Sequence, residues 1–129
     1  QAFHYPIPPY VAQATPALVA RFQAPDLQHG ISLTATGFYA PQNRSIRATS
    51  QVADLFTAMQ AFRFEGLPAT NLEMETAGIY GLARALGHRA LALNAILANR
   101  PTGVFSAQPK LQEKRLIERF FEVLAAGPL

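Results

Sequence analysis

The stretch TNLEMETAGIYGLARALG, residues 70–87, decides the class of fold. Thr70 to Met74 is predicted as a strand, after a segment from Arg63 to Ala69 that Gly66 and Pro68 break into short strand and turn. A helix follows from about Glu75 to Leu86, and Gly87 stands where a helix-ending left-handed residue belongs.

Working outward, strand and helix signals keep alternating. Ile31-Ser-Leu-Thr-Ala-Thr36 alternates apolar with small polar residues, a strand signal, and runs into Gly37 and the loop Phe38–Arg44. A helix is predicted around Gln51 to Phe62, with Val52, Leu55, Phe56, Met59 and Phe62 on one face. Thr15-Pro16 reads as the N-cap and first-turn proline of a short helix ending near Phe22. Ala90 to Ala98 is an almost unbroken apolar run, the pattern of a strand buried on both faces, and Asn99-Arg100-Pro101 ends it. A last amphipathic helix is expected from about Pro109 to Ala125, closed by Gly127-Pro128. The opening QAFHYPIPPY, with three prolines and three aromatics, fits an extended segment or edge strand resting on a surface. Strand, helix, strand, helix in this order makes an α/β protein with helices on at least one face of the sheet.

Composition bounds the function. The chain has 129 residues, 50% of them apolar and 15% charged, enough for one domain with a real core. With no cysteine there is no disulfide, thiolate metal site or cysteine nucleophile, which suits a reducing compartment; a cytoplasmic location is the expectation. Apolar runs fall far short of the roughly 20 residues of a membrane-spanning helix, so no membrane partner is expected. Net charge is +3, but the arginines are dispersed from Arg21 to Arg119 with acids between them. The one dense stretch, Lys110 to Glu122, mixes signs, with Lys114 and Glu118 at helical spacing. A nucleic-acid binder would cluster its charge, so no nucleic-acid partner is expected.

Three polar loci lie just beyond predicted strands, where α/β folds bind ligands: Phe38–Arg44, Asn71–Glu75 and Asn99–Arg100. Glu73 and Glu75, two apart, would project from one strand face into one cleft, serving as acid and base or gripping a sugar through paired hydroxyls. The alternative is a solvated strand end that caps the following helix. Gln42 and Arg44 offer a carboxamide and a guanidinium suited to a planar base edge or a carboxylate, or they form an exposed polar loop. Phe38 stacks on a ring or belongs to the core. Arg100, closing an apolar run, must reach solvent, a ligand or a salt-bridge partner. His4, His29 and His88 are scattered without ligand spacing, so no metal site is expected. Glycine-rich phosphate loops and the G-x-S-x-G elbow are absent, which excludes those enzyme classes.

Read together, the three loci resemble one family. Asn71-Leu-Glu-Met-Glu-Thr-Ala-Gly-Ile-Tyr80 is similar to the E-M-E-[ST]-A signature of the nucleoside phosphorylase superfamily of uridine phosphorylase and hexameric purine nucleoside phosphorylase. Gly37-Phe-Tyr-x-Pro-Gln-x-Arg44 resembles the uridine phosphorylase base-recognition loop, and Ala95-Ile-Leu-Ala-Asn-Arg100 resembles the strand that ends beside the base. The three occur in the family's order.

The resemblance implies a fold: the C-terminal part of a three-layer α/β/α phosphorylase fold with a central mixed sheet. It implies roles as well. Glu75 would bind the ribose hydroxyls, Met74 would pack on the sugar, and Glu73 would add a supporting contact. Gln42 and Arg44 would read the uracil edge, Phe38 would pack on the ring, and Leu97 and Ala98 would line the base pocket. Arg100 would sit near Arg44 and the base's carbonyl, where purine-cleaving relatives carry an Asp that protonates the base. The implied reaction is uridine plus phosphate to uracil and ribose 1-phosphate, with phosphate as co-substrate and no cofactor. Sites shared between subunits of a homo-oligomer are part of the same expectation.

No segment of residues 1–129 matches the family's glycine-rich and arginine-bearing phosphate cradle. The expectation is therefore that the chain is the C-terminal portion of a single phosphorylase domain, inactive alone. The alternatives are a purine nucleoside phosphorylase, a nucleosidase that uses water, a non-catalytic nucleoside-binding module, or a structural domain with chance matches.

Overall fold

A computed structural model describes residues 10–47 and 54–127. Contacts divide the chain into two compact units, Gln1–Gln13 with Gln28–His88, and Ala14–Leu27 with Arg89–Leu129. Helices and a mixed sheet give the expected α/β class.

In the first unit, β1 (Ile31–Thr34) pairs in parallel with β3 (Leu67–Glu73), and β2 (Arg63–Phe64) pairs antiparallel with the other edge of β3. Glu65 and Gly66 join β2 to β3 with positive φ of 50° and 81°, the geometry of a two-residue hairpin turn. The parallel pair needs a crossover, and helix α2 (Leu55–Ala61), which packs on β3, belongs to it. Leu55 and Met59, one turn apart on α2, are buried, and among the described residues Leu55 is the most enclosed side chain at 1% exposure. The helix starts at Leu55, later than the predicted Gln51; residues 51–53, with Val52 of the predicted face, lie outside the described residues.

Helix α3 (Thr76–Ala85) follows β3 and packs on β1. It ends as its sequence requires. Gly87, at φ 71°, donates to the Arg84 carbonyl at 3.2 Å and His88 donates to the Ala83 carbonyl at 2.7 Å. This is the paired Schellman closure, with glycine in the left-handed position.

In the second unit, α1 (Pro16–Arg21) begins at Thr15 and Pro16 as expected, but the Thr15 side chain does not cap it. Its hydroxyl accepts the Ala90 N–H at 2.9 Å, and its N–H donates to the Ala90 carbonyl at 2.9 Å. Helix α4 (Pro109–Ala125) matches its predicted span. Arg21 donates to the Val123, Leu124 and Gly127 carbonyls, satisfying the last turn of α4. Phe22, buried, stacks on Phe120 at 6.0 Å. Arg119 bridges to Asp26 at 3.3 Å and Glu122 at 3.1 Å, and Lys114 pairs with Glu118 at 3.6 Å.

The apolar run Ala90–Ala98 departs from its reading as a strand buried on both faces. Among the described residues no strand forms over 90–97. Only β4 (Ala98–Asn99) forms, paired with β5 (Val104–Phe105) in a short hairpin, and Ile96 is 55% exposed. Apolar composition specifies a preference for burial; it does not supply the ladder partners that make a strand. Among the described residues the strands form two sheets, one in the order β1-β3-β2 and one of β4 with β5.

Gly30, just before β1, meets β3 too closely for any side chain: a Cβ there would lie 2.2 Å from Thr70 Cγ2 and 3.0 Å from the Pro68 carbonyl. Gly30→Ala is expected to lower stability by about 1–3 kcal/mol through overpacking. Urea denaturation checks this, and an unchanged midpoint would contradict the close approach of β1 and β3.

Candidate functional site

Parallel pairing sets the carboxyl ends of β1 and β3 side by side, with Thr34 in register with Glu73. The Ala35 N–H extends the ladder to the Glu73 carbonyl at 2.8 Å. Two polar clusters grow from these ends, the place where open α/β sheets bind ligands.

The first follows β1. Ala40–Gln42 form one 3₁₀ turn with Pro41 as its second residue, and Asn43 ends it in the left-handed conformation, which asparagine tolerates better than most residues. Both the Gln42 and Arg44 N–H groups donate to the Tyr39 carbonyl, at 3.0 and 2.9 Å, which turns the loop back on itself. Arg44 thereby lies over Phe38, its guanidinium carbon 3.6 Å from the ring centroid. Arg44 Nη1 donates to the Phe38 carbonyl at 2.9 Å and to Gln42 Oε1 at 3.2 Å. Gln42 is buried at 5% exposure, whereas half of Phe38 remains exposed. Phe38, Gln42 and Arg44 thus form one cluster, and the guanidinium covers one face of the ring in cation–π contact.

The second cluster is the β3–α3 junction. β3 ends at Glu73, so strand alternation stops before it reaches Glu75, and the two carboxylates separate instead of sharing a face. Glu73 Oε2 accepts the N–H groups of Glu75 at 2.7 Å and Thr76 at 2.6 Å, while its Oε1 accepts the Thr34 hydroxyl. The first turn of a helix offers N–H groups without intrahelical partners, and Glu73 fills that role. Burial pushes the Glu73 carboxyl up, but the bonds from Thr34, Thr76 and Glu75 outweigh it and hold the group below its ordinary value.

Glu75 is the N-cap residue of α3, yet its side chain makes no capping bond to the helix. Its carboxylate is exposed and Oε2 accepts the Met74 N–H at 3.1 Å. Met74 is 41% exposed. An ionised carboxylate accepts from two or more hydroxyls, so this group can grip a vicinal diol.

Leu97, Ala98 and Arg100 belong to the second unit. Leu97 and Ala98 are half-buried; the Leu97 carbonyl accepts the Ser106 N–H at 2.8 Å, and Ala98 pairs with Phe105. Arg100, also half-buried, starts the turn of the β4–β5 hairpin, where its carbonyl accepts the Gly103 N–H at 3.3 Å. Among the described residues no group of three or more His, Asp or Glu is placed to hold a metal ion.

Thr34 is the residue that motif reading passed over. The signal was present: Ser32 and Thr34 alternate with Ile31 and Leu33, and a parallel neighbour ending in Glu73 places the Thr34 hydroxyl beside that carboxylate.

A carboxylate whose folded-state pKa is lowered stabilises the fold in full above its unfolded value of about 4.3. That contribution is lost as pH falls through the lower folded value. Wild type is therefore expected to lose stability below about pH 5 in urea titrations, and Glu73→Gln to be less stable at neutral pH with a shallower acid decline. An unaltered acid slope in Glu73→Gln would contradict this account of the junction.

No curated protein and no solved structure matches the chain. The family model described as the phosphorylase superfamily matches residues 1–126. No helix among the described residues is long and apolar enough to cross a membrane. Membership supports a nucleoside-phosphorylase type of function, a pentosyl transfer with nucleoside and phosphate as substrates. With an α/β frame, two parallel strand ends side by side and a match over nearly its whole length, the chain belongs to the phosphorylase superfamily.

Proposed function

We propose that the chain carries the base and ribose contacts of a uridine phosphorylase, which converts uridine and phosphate to uracil and ribose 1-phosphate. The observation that supports this most is the placement of two complementary clusters beyond adjacent parallel strand ends. One is Gln42 and Arg44 gathered on Phe38; the other is the exposed Glu75 carboxylate.

In this reading Glu75 accepts hydrogen bonds from the ribose hydroxyls, Met74 lies against the sugar, and Glu73 supports that contact. Gln42 and Arg44 address the carbonyl and N–H edge of uracil. Phe38, half-exposed, packs against the base. Phosphate attacks the anomeric carbon as the bond to the base nitrogen breaks, and the bonding pair leaves with uracil. A guanidinium cannot be the acid that protonates a leaving base, but it stabilises negative charge growing on the uracil oxygens.

The reading takes residues 1–129 as the C-terminal portion of a longer phosphorylase domain, in a cytoplasmic homo-oligomer whose subunits share sites. The intact mass of the polypeptide in its source tests the first point, since a chain well above 14.0 kDa is expected. A natural chain of 14.0 kDa would instead favour a nucleoside-binding module without phosphorolysis.

Two substitutions in the natural protein test the residue roles. Glu75→Gln is expected to weaken uridine binding while leaving free uracil binding nearly unchanged; equal loss of both would remove Glu75 from the ribose. Arg44→Ala is expected to reduce discrimination between uracil and other bases by about 1–3 kcal/mol, as loss of a charge-assisted bond does. An unaltered base preference, measured by calorimetric titration, would remove Arg44 from the base edge.

A further inference from the structure

The N-terminus of α3 presents an unusual division of labour. An N-cap side chain ordinarily accepts the N–H of the second or third helical residue. Here the N-cap is Glu75, and its carboxylate does not do so. The N–H of Ala77, second in the helix, instead donates to Thr34 Oγ1 at 3.0 Å, from the end of β1. The one O–H of Thr34 points the other way and donates to Glu73, which cannot donate in return. Glu73 in turn takes the N–H groups of Glu75 and Thr76. A hydroxyl and a carboxylate from two neighbouring strands therefore cap the helix in place of its own N-cap residue.

We propose that Thr34 is a positioning residue for Glu75: by accepting the Ala77 N–H it removes the bond that would draw the Glu75 carboxylate onto the helix, and so keeps that carboxylate presented to the sugar. The inference rests on the reading of Glu75 as the ribose contact. Val in place of Thr34 would keep the shape and β-branching but leave the Ala77 N–H without its acceptor. A half-buried N–H is costly to leave unbonded, and the Glu75 carboxylate is the acceptor one residue before the helix. Swinging onto Ala77 would satisfy the helix and withdraw the carboxylate from its ligand. Serine would keep the hydroxyl and hence both bonds.

The test is calorimetric titration of the natural protein with uridine and with free uracil, on Thr34→Val, Thr34→Ser, Glu75→Gln and the Thr34→Val/Glu75→Gln double variant. Thr34→Val is expected to weaken uridine binding about tenfold, the scale of one lost hydrogen bond to a charged group, with uracil binding kept. Thr34→Ser is expected to bind uridine as wild type does. In the double variant the Thr34→Val effect should vanish, because the carboxylate it positions is gone. Additive losses, equal loss of uridine and uracil binding, or failure of Thr34→Ser to bind would each overturn the proposal. Should Thr34→Val not fold, Thr34→Ser still decides, since loss of uridine binding there contradicts the role of the hydroxyl. The underlying assignment fails separately: if Glu75→Gln leaves uridine binding intact, Glu75 is not the ribose contact, whatever Thr34 does.

Discussion

The site depends on satisfying the unpaired N–H groups at the start of α3. Three of them, on Glu75, Thr76 and Ala77, point at the ends of β1 and β3, and the Thr34–Glu73 pair accepts all three. Because Thr34 and Glu73 are also in register across the parallel ladder, one arrangement fixes strand pairing, helix placement and the exit of the following chain. Burial there pushes the Glu73 carboxyl up, and the hydrogen bonds from Thr34, Thr76 and Glu75 outweigh it and hold the group below its ordinary value.

The same constraint separates two carboxylates that look equivalent in sequence. Glu73 is committed to backbone, and Glu75, two residues on, is left exposed. A comparable economy operates in the loop after β1, where Arg44 is held by one nitrogen on Phe38 and Gln42. Its orientation is fixed by main-chain turns that Pro41 and Asn43 favour. The loop cluster is ordered by local turns, whereas the β3–α3 junction is ordered by the Thr34–Glu73 contact across the parallel ladder.

Much of this was legible in the sequence, and the exceptions share a cause. Pro109 and Ala125 bound α4 as its amphipathic pattern and proline start predict, and Gly87 closes α3 where its position predicts. Local signals have their limit at Thr15, which stands at the N-cap of α1 while its hydroxyl accepts the Ala90 N–H instead. The Glu73–Glu75 spacing fits either one face of a strand or a strand end that caps the following helix, and Glu73 takes the second role, because β3 ends there and its carboxylate accepts the N–H groups of Glu75 and Thr76. Ala90–Ala98 was read as a buried strand because periodicity reports apolarity, whereas a ladder also needs a partner. Thr34 went unread because its partner is 39 residues away and only parallel pairing brings the two together. The three collinear motifs pointed to the family to which the chain belongs.

The most direct test of the account is uracil release from uridine by the natural protein, followed with and without inorganic phosphate. The account predicts release that requires phosphate and yields ribose 1-phosphate in equal amount. Release that proceeds equally well without phosphate, or no release of base from uridine at all, would contradict it.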